Sequence, residues 1–144
     1  MARLDRTRLD KGIFPFRCEI ATRIADLDTY GHINNVVIAG IFQEGRYRLF
    51  RTLDLTDNQD VQQVVAGLTI EFAGEMILPD PIQVATGVLD IGRTSFRLGQ
   101  IATQNGRVGA YAEIVHVMRD QNGQVPIPHE MRAKLGALKI GDSL

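Results

Sequence analysis

A single cysteine, Cys18, stands in this chain of 144 residues, so no disulfide can form within it and a reducing compartment is permitted. No charge of one sign prevails. The formal net charge is −1, which gives no large field to recruit a polyanion, and the basic stripe of a nucleic-acid footprint is missing. The densest basic stretch, Arg46 to Arg51, is interrupted by Tyr47, Leu49 and Phe50 and reads as the solvent side of a helix. No apolar run approaches the ~18 residues of a membrane span. Met1 to Arg8 is charged and lacks the apolar core of a secretory signal, so a soluble, cytoplasmic protein is expected. The spacings His-x-x-x-His and Cys-x-x-Cys do not occur, so no metal site is expected. A Gly-x-Ser-x-Gly elbow and a phosphate-cradling glycine loop are absent too, which argues against a serine hydrolase and a nucleotide enzyme. Repeats and low-complexity segments are lacking, and the length suits one domain over 1–144.

What the chain does have is a concentrated polar loop. Residues 26–35 read Asp26-Leu27-Asp28-Thr29-Tyr30-Gly31-His32-Ile33-Asn34-Asn35, directly before an apolar pattern of helical period. Backbone N–H groups at a helix start have no intrahelical partner and carry partial positive charge. A carboxylate beside such donors is the minimum equipment for attacking or hydrolysing a carbonyl.

Around this loop the elements can be read in order. Residues 1–12 are polar and predict a flexible, loosely held arm. Phe14, Phe16, Cys18 and Ile20 alternate with Pro15, Arg17, Glu19 and Ala21, a strand period. After the loop, Ile38, Phe42, Gly45, Leu49 and Leu53 mark one face of a helix, with Gln43, Glu44, Arg46, Tyr47, Arg48 and Arg51 on its other sides. Asn34 or Asn35 is the expected N-cap. Gly40 and Gly45 predict something packed very close to the helix. Residues 54–60 read as a polar loop. Beyond it, 61–119 reads as strands: Val64 to Leu78 with a bulge at Gly74, a strand from Ile82 to a turn near Gly92, a strand from Phe96 to the hairpin signal Asn105-Gly106, and a central strand from Val108 to Met118. His116 reads as a satisfied core histidine. The segment 128–138 predicts a short terminal helix. A lone amphipathic helix must bury its apolar face on the concave side of the sheet. The opposite sheet face then needs cover, which favours a homodimer or homotetramer.

Strand, Asp-x-Asp-x-x-Gly-His-x-Asn-Asn loop, long helix and four-strand meander together resemble the hotdog-fold acyl-CoA thioesterases of the 4-hydroxybenzoyl-CoA type, from about Phe14 to Leu138. Further echoes are Phe42-Gln43-Glu44-Gly45-Arg46, Gly92-Arg93-Thr94-Ser95-Phe96 and Pro126-Ile127-Pro128. The resemblance implies an α+β hotdog fold, an antiparallel five-stranded sheet wrapped around one long central helix. It also implies hydrolysis of an acyl-CoA or acyl-carrier-protein thioester, without a cofactor and with neither nucleic acid nor membrane as partner. The chain departs from the family in having Val37-Ile38 where an aromatic residue is frequent and Gly45 where alanine is usual. Plant acyl-carrier-protein thioesterases have asparagine where Tyr30 stands here.

Within that resemblance Asp28 matches the catalytic aspartate, and Gly31 and His32 supply the N–H groups that polarise the carbonyl. Tyr30 is a candidate substrate contact. Asn34 and Asn35 are capping residues, of which one could order the catalytic water, making Asn35 a candidate. Glu44 is the alternative carboxylate; its plainer role is a pair with Arg48 at i+4. Asp26 reads as a loop-stabilising acceptor. Arg93, Thr94 and Ser95 could hold a CoA phosphate. The rival from another class is a non-catalytic acyl-CoA-binding module.

Overall fold

The alternating segments of the sequence zip into one antiparallel sheet that curls around a single long helix. The computed structural model describes residues 4–55 and 60–143. Its elements are α1 (Arg6–Lys11), β1 (Gly12–Ile13), β2 (Phe16–Ile20), a 3-10 turn (Ile24–Asp26), α2 (Asn35–Thr52), β3 (Gln62–Phe72), β4 (Ile82–Ile91), β5 (Ser95–Gln104), β6 (Arg107–Asp120), β7 (Gly123–Gln124), α3 (His129–Gly136) and β8 (Gly141–Asp142). The main sheet runs β2-β4-β5-β6-β3, with the short β7 added beside β6. This is the α+β hotdog arrangement, the five expected strands plus a two-residue sixth. Among the described residues no helix is long and apolar enough to cross a membrane.

Local chemistry fixes the register. Asn105 and Gly106 have φ of 53° and 76°, the left-handed pair of a tight hairpin, and join β5 to β6 with Gln104 opposite Arg107. In β3 the ladder slips between Val65 and Gly67, not at Gly74. The strand ends at Phe72, after which the amides of Ala73 and Gly74 both donate to the Gly109 carbonyl. Of the polar loop expected over 54–60, residues 56–59 lie outside the described residues.

Asn34 is the N-cap of α2; its side-chain oxygen accepts from the Val36 amide at 2.8 Å, and that of Asn35 from the same amide at 2.9 Å. The helix buries Ile38, Ile41, Phe42, Gly45, Leu49 and Phe50, packing on β2 and β4. The two helix glycines differ. A Cβ at Gly45 would sit 2.7 Å from Val84 Cγ1, whereas one at Gly40 would meet nothing within 4 Å. Close packing thus explains Gly45 and not Gly40. Gly45→Ala should cost about 1–3 kcal/mol by overpacking. Gly40→Ala should gain about 0.5–1 kcal/mol from helix propensity alone. Urea denaturation of the two variants checks the contrast.

The expectation of a loose arm is corrected for residues 4–12. Asp5 caps α1 by accepting from the Arg8 amide at 3.0 Å. Leu4 and Leu9 flank that cap at the positions of a hydrophobic staple, and both are buried. They sit on the convex face of the sheet with Phe14, Leu89, Ile101, Tyr111 and Ile140. Gly87 and Gly99 are cross-strand partners and open a depression there. A Cβ on Gly99 would lie 2.6 Å from Leu9 Cδ2, and one on Gly87 2.5 Å from Ile140 Cγ1. Polar ties complete the clamp: Tyr111 Oη donates to Asp10 at 2.6 Å, and Arg6 Nε to Glu71 at 2.7 Å. Much of the cover expected from a second subunit on this face comes from the chain's own ends.

Candidate active site

The loop between the 3-10 turn and α2 is held by hydrogen bonds that its own sequence supplies. Asp26 is buried, and its carboxylate accepts from the Arg23 amide and guanidinium, both at 2.9 Å. The Arg23 hydrogen bond holds the Asp26 carboxyl below the usual range. The Asp26 carbonyl in turn accepts from the Asn34 amide at 2.8 Å. Asp26 is therefore scaffolding, as its residue type beside an arginine suggests.

Asp28 organises the tip. Its Oδ1 accepts from the amides of Tyr30 at 2.8 Å and His32 at 3.1 Å, an Asx turn. Its backbone amide donates to the His32 carbonyl at 2.8 Å, and its carbonyl accepts from the Gly31 amide at 3.2 Å. Gly31 has φ of 81°, which only glycine adopts without strain. Among the described residues nothing donates to Asp28 Oδ2, so one oxygen of the half-buried carboxylate is without a hydrogen bond. The Gly31 and His32 amides, expected to face a carbonyl, are engaged inside this turn by the two longer bonds.

The His32 ring lies against Glu75, with Nε2 3.1 Å from Oε2. Glu75 belongs to the β3–β4 connection, brought here because the Ile33 amide donates to the Met76 carbonyl at 2.8 Å. No motif in the sequence marks Glu75. Tyr30 projects from the tip, largely exposed.

The remaining candidates are not gathered at this tip. Glu44 pairs with Arg48 at 2.5 Å, and Arg48 also donates to the Glu19 carbonyl at 2.9 Å. Glu44, Arg48, Gly40, Val37, Ile41 and Asp26 line a cavity of about 520 Å³ between α2 and β2. Arg93 and Thr94 lie in the β4–β5 turn, and Ser95 opens β5. The Arg93 and Gly92 carbonyls accept from Arg132, and the Thr94 carbonyl from the Met118 amide. This turn is at the far end of the sheet, where β5 begins. Asp28 is at the other end, before α2, whose 18 residues span about 27 Å. Within one chain Asp28 and Arg93 do not share a site.

A second polar group is buried under α2. Arg46, expected on the solvent side, is only 6 % exposed and donates to Gln100 Oε1 at 3.0 Å. Gln100 donates to the Phe42 carbonyl and to Thr86 Oγ1, both at 3.0 Å. His116 is 3 % exposed, stacked on Phe96 and edge-on to Phe50. It is a core histidine but not a satisfied one, since neither ring nitrogen has a hydrogen-bond partner among the described residues. Burial, and secondarily the Arg46 charge, push its pKa down from 6.5 to about 4. The folded state therefore binds this proton less readily than the unfolded chain. Its contribution is fully present above the unfolded value of 6.5 and falls as pH drops toward about 4, a loss of roughly 3 kcal/mol. His116→Phe should flatten that part of the pH dependence of urea stability, measured between about pH 4 and 7.

Among the described residues no group of three or more His, Cys, Asp and Glu side chains is placed to hold a metal ion. Residues 22–135 match the family model of the Thioesterase-like superfamily. An uncharacterised protein of Bacillus subtilis (strain 168), YsmA, is 25 % identical over 89 residues, covering 61 % of this chain; the chain spans only 60 % of that protein's length. A crystal structure of a thioesterase from Thermus thermophilus, complexed with coenzyme A and zinc, superposes with a TM-score of 0.79 at 29 % identity, over 88 % of this chain and 95 % of that one. A predicted thioesterase from Bacillus stearothermophilus gives 0.78 at 29 % identity, over 86 % and 96 %. The chain belongs to the Thioesterase-like superfamily and has its hotdog fold.

Proposed function

We propose that the protein hydrolyses an acyl-CoA or acyl-carrier-protein thioester, with Asp28 as the reacting carboxylate. The observation that carries this reading is the free Oδ2 of Asp28, held at a helix start by a turn that its own Oδ1 anchors. Asp28 would either attack the thioester carbonyl or draw a proton from water; both routes end in free acid and thiol. The Gly31 and His32 amides would turn to the developing oxyanion, exchanging their 3.2 and 3.1 Å bonds for charged ones. Glu75 orients the His32 ring, so the ring is a positioning group and its backbone the chemical one. The likeness to a coenzyme A complex supports the substrate class. The finer 4-hydroxybenzoyl type belongs to the same proposal and rests on the loop motif.

A homodimer completes this reading. β3 is an edge strand, and on its concave side Val65, Leu68 and Phe72 are exposed beside α2, which itself exposes Val36 and Tyr47. Two copies joined antiparallel along β3 would cover these residues. They would also bring the β4–β5 turn of one copy, with Arg93, toward the Asp28 loop of the other. Tetramers made by stacking convex faces are disfavoured, because α1 and the C-terminal tail occupy much of that face.

Variants separate the candidate groups by rate of thiol release. Glu44→Gln should stay within about threefold of wild type, since a surface ion pair contributes little. His32→Ala keeps the backbone donor and should lose less than the hundredfold or so expected when an oxyanion donor is removed. Inactivity of Glu44→Gln alongside an active Asp28→Asn would move the chemistry to α2. One observation favours the rival reading of an acyl-CoA-binding module: both candidate amides are already engaged, that of His32 by Asp28 Oδ1 and that of Gly31 by the Asp28 carbonyl.

A further inference from the structure

Gly40 is the residue of α2 that the fold leaves unexplained. It stands inside the helix, where glycine is less favourable than alanine. A Cβ there would meet nothing within 4 Å, so packing against the described residues does not require it. What Gly40 lines is the cavity of about 520 Å³ between α2 and β2, a volume within the ~300–1,000 Å³ of small-molecule sites. Ile20, Val37 and Ile41 give this cavity aliphatic walls. Its charged lining is matched in pairs, Arg23 with Asp26 and Glu44 with Arg48. An ionic ligand finds no unpaired counter-charge in that lining. The chemistry it offers is that of a cleft for an uncharged aliphatic chain.

The cavity starts beside the Asp28 loop and leads away from it. Asp26 lines it, and Asp28 follows by two residues, at most about 7 Å of chain. From Val37, in the first turn of α2, to Glu44 the helix rises about 10 Å. There the lining turns ionic with the Glu44–Arg48 pair. This flank of the helix is also the free one. β2 and β3 are opposite edges of the main sheet, so a homodimer joined along β3 covers the other flank and leaves the cavity open. In that dimer the β4–β5 turn approaches the Asp28 loop from the β3 side. A CoA carrier held there sends the acyl group toward β2.

We propose that the cavity beside Gly40 binds the acyl chain and that the missing side chain sets the length it accepts. The preferred substrate is then a linear aliphatic thioester of medium length. This rests on the thioesterase reading and names its substrate class. What the 4-hydroxybenzoyl type contributes is the loop chemistry, and not an aromatic acyl group.

The test compares butanoyl-, octanoyl- and benzoyl-CoA by thiol release and by titration calorimetry. Wild type should favour octanoyl-CoA over the other two by about tenfold or more in kcat/KM, because each further methylene is taken out of water. Gly40→Leu keeps a good helix former at the position and places a side chain in the cavity. It should lower the octanoyl-to-butanoyl ratio by about tenfold or more, and Gly40→Ala should lower it less. Because each ratio is taken within one protein, altered stability of a variant does not obscure it. An unchanged ratio in Gly40→Leu, or a wild-type preference for butanoyl- or benzoyl-CoA, overturns the inference. Absence of thiol release from all three strikes the thioesterase reading, and the affinities then decide separately. Tighter octanoyl-CoA binding that Gly40→Leu removes supports the acyl cleft, and equal affinities for the three thioesters overturn it.

Discussion

Asp28→Asn is expected to lower kcat for thioester hydrolysis by about 10² to 10⁴, the range associated with a positioned acid–base group. The fold should be unchanged. Asparagine keeps an Oδ1 that accepts from the Tyr30 and His32 amides, the contacts that shape the turn, and it replaces only the free Oδ2. An amide at that position neither attacks a carbonyl nor takes a proton from water. KM should change little, because the substitution removes a group that acts in the transition state. The measurement is steady-state thiol release with a thermal melt on the same sample. A purely structural Asp28 predicts the opposite: full turnover, since the turn survives.

Leu9→Ala should cost about 2–5 kcal/mol, the usual range for truncating a buried leucine. Leu9 is 2 % exposed and fills the depression that Gly99 leaves on the convex face. The cross-strand glycines Gly87 and Gly99 supply no side chain that could relax into the gap. Below its melting transition the variant should keep wild-type kcat, because α1 and the Asp28 loop lie on different sides of the sheet. Urea denaturation gives the first quantity and thiol release the second. A small stability loss would mean that α1 detaches easily, as a polar arm would.

These two residues show where the sequence was legible. The loop motif could be read because its bonds are local: Asp26 to Arg23, Asp28 to Tyr30 and His32, and Asn34 to Val36 are all within four residues. The hairpin at Asn105-Gly106 was legible for the same reason. The role of α1 was written in Asp5, Leu4 and Leu9, but its charges mask a staple only two leucines long. Arg46 shows periodicity overruled by charge. It lies four residues after Phe42 and four before Phe50, on the edge of the apolar face, yet its residue type argues for solvent.

Other features depend on the tertiary fold. Glu75 reaches His32 only because the β3–β4 connection folds back to the loop, through a backbone bond that no side chain announces. Arg93 could look like a site residue in a linear reading, whereas the length of α2 separates it from Asp28. Gly40 and Gly45 look alike in sequence, and only the sheet beneath Gly45 distinguishes them.

The most direct test of the central claim is thiol release by the wild-type protein across short, long and aromatic acyl-CoAs, with calorimetric binding measured in parallel. Catalytic turnover of at least one thioester, at many thiols per protein chain, is the predicted result. Saturable binding of acyl-CoA with no release of thiol from any of them would contradict it, and would make the Asp28 loop a recognition turn.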